Sequence, residues 1–200
     1  MSTNYEKILR ENLNRIHKRA REELQASLPA TAGDEGFLFR AFAEDCAIGS
    51  DRITFSGRAD NGPKGLLISL YGAKASRLEM KIEPFKSFKD FPGSMPYHGA
   101  FSANTERVLI PHVGRIKDRV AVIIESFGGE LNPPGAAGDF ACLLTPLPKV
   151  ALCYIFYLPD EEFPASVTCL FSANAEAFMP LDGLADIAEY TSKRIIQLLE

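Results

Sequence analysis

Three adjacent carboxylates, Asp160-Glu161-Glu162, form the densest group of chemically competent side chains in this 200-residue chain. Their oxygens suit a hard divalent cation. In a dry cleft one of them can be held protonated and act as a general acid. The same residues also fit a solvated turn in which Asp160 bonds local backbone amides, and no D-x-D-x-D-G spacing marks a cation loop. A second group lies in the segment PYHGAF, where Tyr97, His98 and Phe101 combine ring surface with two polar tips. A ligand site built from both would stack on Tyr97, His98 and Phe101 and take its charge from Asp160 and Glu162. Loop packing or a backbone hydrogen bond is the competing reading for His98.

Other chemistries are less well served. His17 falls on a charged helix face, where solvent exposure is expected, and His112 follows Pro111. Without His-x-His, H-E-x-x-H or a nearby cysteine, no metal site is assigned. Cys46, Cys142, Cys153 and Cys169 are scattered with no C-x-x-C pair. Three sit in apolar runs, where free cysteine behaves as a small hydrophobe, so reduced thiols are expected. A Cys–His nucleophile pair would need those buried thiols to meet an imidazole in space. The phosphate-binding glycine patterns and the G-x-S-x-G elbow are absent, so no cofactor is named. Lysines alternate with phenylalanines over residues 81–91, but core rings with outward-reaching lysines explain them better than a single-strand nucleic-acid surface.

A net charge of −4 and a pI near 5.5 argue against nucleic acid or an anionic membrane as partner. No apolar run approaches the roughly 20 residues that span a bilayer, and the polar start MSTNYEKILRENL is not a secretory signal. A cytoplasmic protein is expected. With 46% hydrophobic and 24% charged residues, the length suits one domain over residues 1–200 with a sizeable core.

The elements that must position these residues follow from periodicity. Val150–Leu158 is almost wholly apolar and Ser166–Phe171 is rich in β-branched and aromatic residues, with Pro159 and Pro164 bounding the turn between them. This predicts an antiparallel pair whose first strand is central and buried on both faces. Leu9, Leu13, Ile16, Ala20 and Leu24 share one helical face, so a first helix is predicted from a cap at Ser2 or Thr3 to about Ser27. Strands are predicted at Phe37–Phe42, Arg52–Phe55 and Gly65–Tyr71, the last two joined by the turn sequence DNGPKG, and another at Asp139–Thr145. A middle helix opening at Asn104 or Thr105 carries the stripe Leu109, Val113, Ile116, Val120, Ile123 and Phe127, restarts near Pro111 and stops at Gly128-Gly129. A terminal helix capped by Asp182 presents Leu184, Ile187, Ala188, Thr191, Ile195 and Leu198. Between them, residues 81–104 form an irregular aromatic loop in which at least two of Phe85, Phe88 and Phe91 should pack inward. The fold class is α+β, an antiparallel sheet of about five to seven strands packed on N-terminal, middle and C-terminal helices.

The pattern LPKVALCYIFYLPDEEFPASVTCLFSANAEAFMPLDGLADIA, with SFKDFPGSMPYHGAF before it and Gly-Gly after the middle helix, resembles the bacterial and archaeal domain-of-unknown-function 3786 family over essentially the whole chain. The family has no assigned activity. It commonly has an aspartate where this chain has Ser172, so a site needing that carboxylate is not kept here. The resemblance implies a setting in anaerobes, near redox or one-carbon metabolism. The cysteine-rich iron–sulfur segment of some members has no counterpart here.

Three functions follow as expectations. The first is a non-catalytic accessory module that binds a small-molecule ligand or a protein partner at Tyr97, His98, Phe101, Asp160 and Glu162. The second is a metal-assisted hydrolase or transferase using the same groups. The third is a structural subunit docking through an apolar patch.

Overall fold

The computed structural model describes residues 4–34 and 36–200; the expected caps Ser2 and Thr3 lie outside them. The first helix is two helices, α1 (Asn4–His17) and α2 (Arg21–Ser27). Leu9, Leu13, Ile16 and Leu24 are buried as expected, but Ala20 is exposed in extended backbone at the break. Arg19 fixes that break: its amide bonds Ile16 O, and its guanidinium reaches Ala75 O and Glu23.

A five-stranded antiparallel meander follows, β1 (Thr31–Gly33), β2 (Gly36–Ala41), β3 (Glu44–Ile48), β4 (Ile53–Phe55) and β5 (Arg58–Ala59), each beside the next. The β2–β3 turn places Phe42 and Ala43 at φ 52° and 59°, the positive pair that usually calls for Asn-Gly. Phe42 bears it because its ring is core, 5.7 Å from Tyr190 and 6.4 Å from Phe55, and its amide donates to Pro146 O at 2.8 Å. Gly65–Tyr71, predicted as a strand, is instead inside α3 (Pro63–Ala73). Pro63 opens that helix in the position where its missing N–H costs nothing, and Asp60 Oδ1 accepts from the amides of Gly62 and Gly65. The turn DNGPKG thus starts a helix rather than closing a hairpin. Packing of α3 on α1 and on β3 and β4 buries Leu67, Ile68 and Tyr71.

The second sheet orders its strands β6 (Lys86–Ser87), β10 (Ser166–Phe171), β9 (Val150–Tyr157), β8 (Phe140–Leu147) and β7 (Glu130–Leu131), all antiparallel. The strands are therefore divided between two sheets of five. β9 is central, and its alternation serves two cores: Leu152, Tyr154 and Phe156 join the main cluster, while Ala151, Cys153 and Ile155 join a smaller one under Met80, Phe85 and Ala136. The main cluster draws on both sheets and on the helices α1, α3, α5 (Val113–Phe127) and α6 (Leu181–Gln197). At the β8–β9 turn the buried Lys149 donates to Ser76 O and, at 2.9 Å, to Leu78 O, tying down the chain after α3.

The middle helix begins earlier than predicted. A short α4 (His98–Phe101) runs through a π turn at Ser102–Glu106 and a 3-10 stretch at Arg107–His112 before α5. The stripe Leu109, Val113, Ile116, Ile123 and Phe127 is buried, Val120 partly so, and Gly128 ends α5 at φ 67°. In α6, Pro180 occupies the N-cap and Asp182 lies in the first turn, so the expected cap is displaced. The helix docks on β9 through the Tyr154 hydroxyl, 3.1 Å from Ala188 O and 3.0 Å from Ser192 Oγ. Among the described residues no helix is long and apolar enough to cross a membrane.

Candidate functional site

The aromatic loop divides sharply. Phe88, Phe91 and Phe101 are buried with Phe171 in one ring cluster, Phe88 stacked on Phe101 at 4.3 Å and Phe91 edge-on to Phe171 at 5.4 Å. Phe101 is therefore core and offers no face to a ligand, which corrects its place among the expected binding residues. Tyr97 is exposed and His98 half-buried; His98 Nδ1 is shielded from solvent and has no hydrogen-bond partner.

The acidic residues stand apart from this cluster. Phe101 packs 5.8 Å from Phe171 at one end of β10, whereas Asp160 lies beyond Ser166 at the other, and five strand steps span about 17 Å. Asp160 Oδ1 accepts from the amides of Glu162 (2.8 Å) and Phe163 (2.7 Å), an Asx-type turn. These amides, Phe163 first, lower the Asp160 pKa below its ordinary 3.8. A carboxylate whose folded pKa is depressed stabilises the fold above its unfolded value and loses that contribution as pH falls through the folded one. Asp160→Ala should therefore melt below wild type at neutral pH, with the gap closing as the solution is acidified past that carboxyl. Thermal unfolding at a series of pH values checks this; a gap that persists undiminished into acid would show that the turn does not depend on the ionised group.

No three His, Cys, Asp or Glu side chains among the described residues are grouped as a metal-ligating set. The four cysteines are free and buried. Burial pushes the thiols of Cys46 and Cys153 up to about 12 and about 11, and those of Cys142 and Cys169 upward as well, which leaves little thiolate for nucleophilic work. Ser172, where the family resemblance implies an aspartate, is fully buried and accepts from Ala151 N.

A cavity of about 600 Å³ lies elsewhere, between the α1–α2 corner and the first sheet. None of Tyr97, His98, Phe101, Asp160 or Glu162 lines it. Its floor is built of small side chains, Ala47, Thr54, Gly57 and Ala59, and its walls carry His17, Arg19, Arg21 and Arg52. The break after α1 aims the first three of these, and Arg52 comes from the β3–β4 connection. His17, the last residue of α1, is exposed as expected and is also anchored at the rim, donating from Nε2 to Gly49 O at 2.7 Å. Arg21 donates to Gly33 O at 2.9 Å. Arg19 pairs with Glu23 at 2.6 Å, and Arg52 grips Asp51 with two nitrogens, each at 2.9 Å. That guanidinium holds the Asp51 carboxyl below its ordinary value. Helical periodicity alone puts Arg19 and Arg21 on the wet face of a first helix, where they have no role in a site. The signal was the run His17-Lys18-Arg19-Ala20-Arg21, dense in cations for an acidic chain.

The family model that matches residues 20–194 is described as a domain of unknown function, DUF3786. Comparison with curated proteins and with solved structures returns no match.

Proposed function

The chain belongs to the DUF3786 family, and on that premise we propose that it is a non-catalytic binding module whose small-molecule ligand occupies the cavity between the α1–α2 corner and the first sheet. The observation that carries this reading is the cavity itself, about 600 Å³ with a small-residue floor and polar walls, within the range of small-molecule sites. The metabolic setting we attach to it, redox or one-carbon chemistry of anaerobes, comes from the family resemblance.

Native mass spectrometry of protein purified anaerobically from its host would read out a retained ligand. Ala59→Trp puts a large ring into the cavity from an exposed position on the edge strand β5, where the fold can accept it. That variant should lose the ligand and keep its melting temperature within a few degrees. A ligand retained undiminished by Ala59→Trp would remove the cavity from consideration.

A second reading, a docking subunit, is favoured by the tip of the aromatic loop. Met95 and Tyr97 are 70% and 53% exposed, beside the unpartnered His98 Nδ1. Under that reading Tyr97→Ala/His98→Ala abolishes capture of a protein partner and leaves the cavity ligand in place.

A further inference from the structure

Resting on the cavity reading above, we infer that the ligand is a small organic anion, a carboxylate or phosphate ester that also carries a hydroxyl or ammonium group, with its anionic oxygens on Arg21. The argument is one of charge and unspent donors. Of the three arginines in the walls, Arg19 and Arg52 are neutralised by Glu23 and Asp51. Arg21 is not: it spends one donor on a backbone carbonyl, Gly33 O. No salt bridge among the described residues involves Arg21. A guanidinium has five N–H donors in a planar fork matched to carboxylate and phosphate oxygens, so most of Arg21's capacity is open. Asp34, also in the lining, likewise has no ion pair among the described residues. An acceptor and a cationic fork in one lining ask for a ligand that donates at one point and is anionic at another. The small floor residues leave room for a carbon frame between the two.

The test uses the full chain with three probes: glycerol 3-phosphate and citrate, each bearing anionic oxygens and hydroxyls, and uncharged glycerol. Amide-resolved NMR titration should show saturable shifts at Gly33, Gly36, Gly49 and Gly57 with at least one of the anions and none with glycerol. Preference for the phosphate or the carboxylate then identifies the source of the anionic group. Arg21→Gln should weaken that binding about tenfold or more, the effect of losing a charge-assisted hydrogen bond, without altering the melting temperature. Absence of saturable shifts with both anions overturns the anionic class. So does equal binding of glycerol that Arg21→Gln leaves unchanged, and in that case the cavity reading survives. Anion shifts confined to amides away from the cavity, or binding indifferent to Ala59→Trp, overturn the cavity reading itself.

Discussion

Phe88→Ala is expected to cost roughly 3–5 kcal/mol, the range for removing a fully buried phenylalanine, and so to bring a fold of ordinary stability, about 5–15 kcal/mol, close to unfolding. Phe88 is 1% exposed and touches three other rings, Phe101 at 4.3 Å, Phe171 at 6.0 Å and Phe91 at 6.4 Å. Its position is fixed from the backbone side as well. Ser87 Oγ accepts from Lys89 N, and Asp90 Oδ2 accepts from Ser87 N at 2.8 Å, so the turn presenting Phe88 is capped in both directions. The neighbours that would have to collapse into the void are themselves rings pinned to β10 and α4, so little relaxation is available. Denaturant unfolding measures the cost. The contrast variant is Tyr97→Ala/His98→Ala, which removes an exposed ring and a half-buried one and should shift the melting temperature by only a few degrees. If the double variant unfolds while Phe88→Ala costs less than about 1 kcal/mol, the division of this loop into anchors and surface residues is the reverse of the one described.

How much of this was legible beforehand depends on whether the deciding forces were local. Val150–Tyr157 and Ser166–Phe171 could be placed because an apolar run that long, bounded by prolines, has few alternatives. The central position of β9 followed from its being apolar on both faces. Gly65–Tyr71 failed because a short apolar run reads alike as a buried strand or a buried helix. The deciding facts were Pro63 at the helix start and the Asp60 carboxylate reaching the Gly62 and Gly65 amides. β3 was missed because the β2–β3 turn is made by Phe42 and Ala43, residues that give no turn signal. Tertiary burial of the Phe42 ring overrides the local preference there.

The candidate site shows the same divide. Spacing alone can identify aromatic residues and acids that are suited to a ligand, but not which way a loop folds. Phe101 turned inward because Phe88 and Phe171 offered it a ring face, and Asp160 was claimed by its own turn. The cavity, by contrast, is assembled from His17, Arg21, Gly49 and Arg52, spread over 36 positions of sequence. It exists only because the chain breaks after His17 and that corner sits against the first sheet. No local pattern encodes such a meeting.

Gly36→Ala should be the most damaging single-methyl change near that cavity, at roughly 2–6 kcal/mol. Two independent effects combine there. Gly36 has φ 117°, a backbone region that carries about 1–3 kcal/mol of strain for other residues. An added Cβ would also stand 2.1 Å from Ile48 O and 2.9 Å from Ile48 C. Those are backbone atoms of β3, so relief requires moving the strand, and overpacking of this kind costs about 1–3 kcal/mol. The displaced strand end leads directly into Gly49, whose carbonyl accepts from His17, so any surviving fold would also have a disturbed cavity rim. Gly57→Ala is the control. It has φ 78° and nothing within 4 Å of the added Cβ, so only left-handed strain of about 1–2 kcal/mol is expected. Denaturant unfolding of the two variants should rank Gly36→Ala well above Gly57→Ala. Equal costs would mean that β2 and β3 do not approach at Gly36 and Ile48 as closely as described, and the wall of the cavity would have to be redrawn from that contact outward.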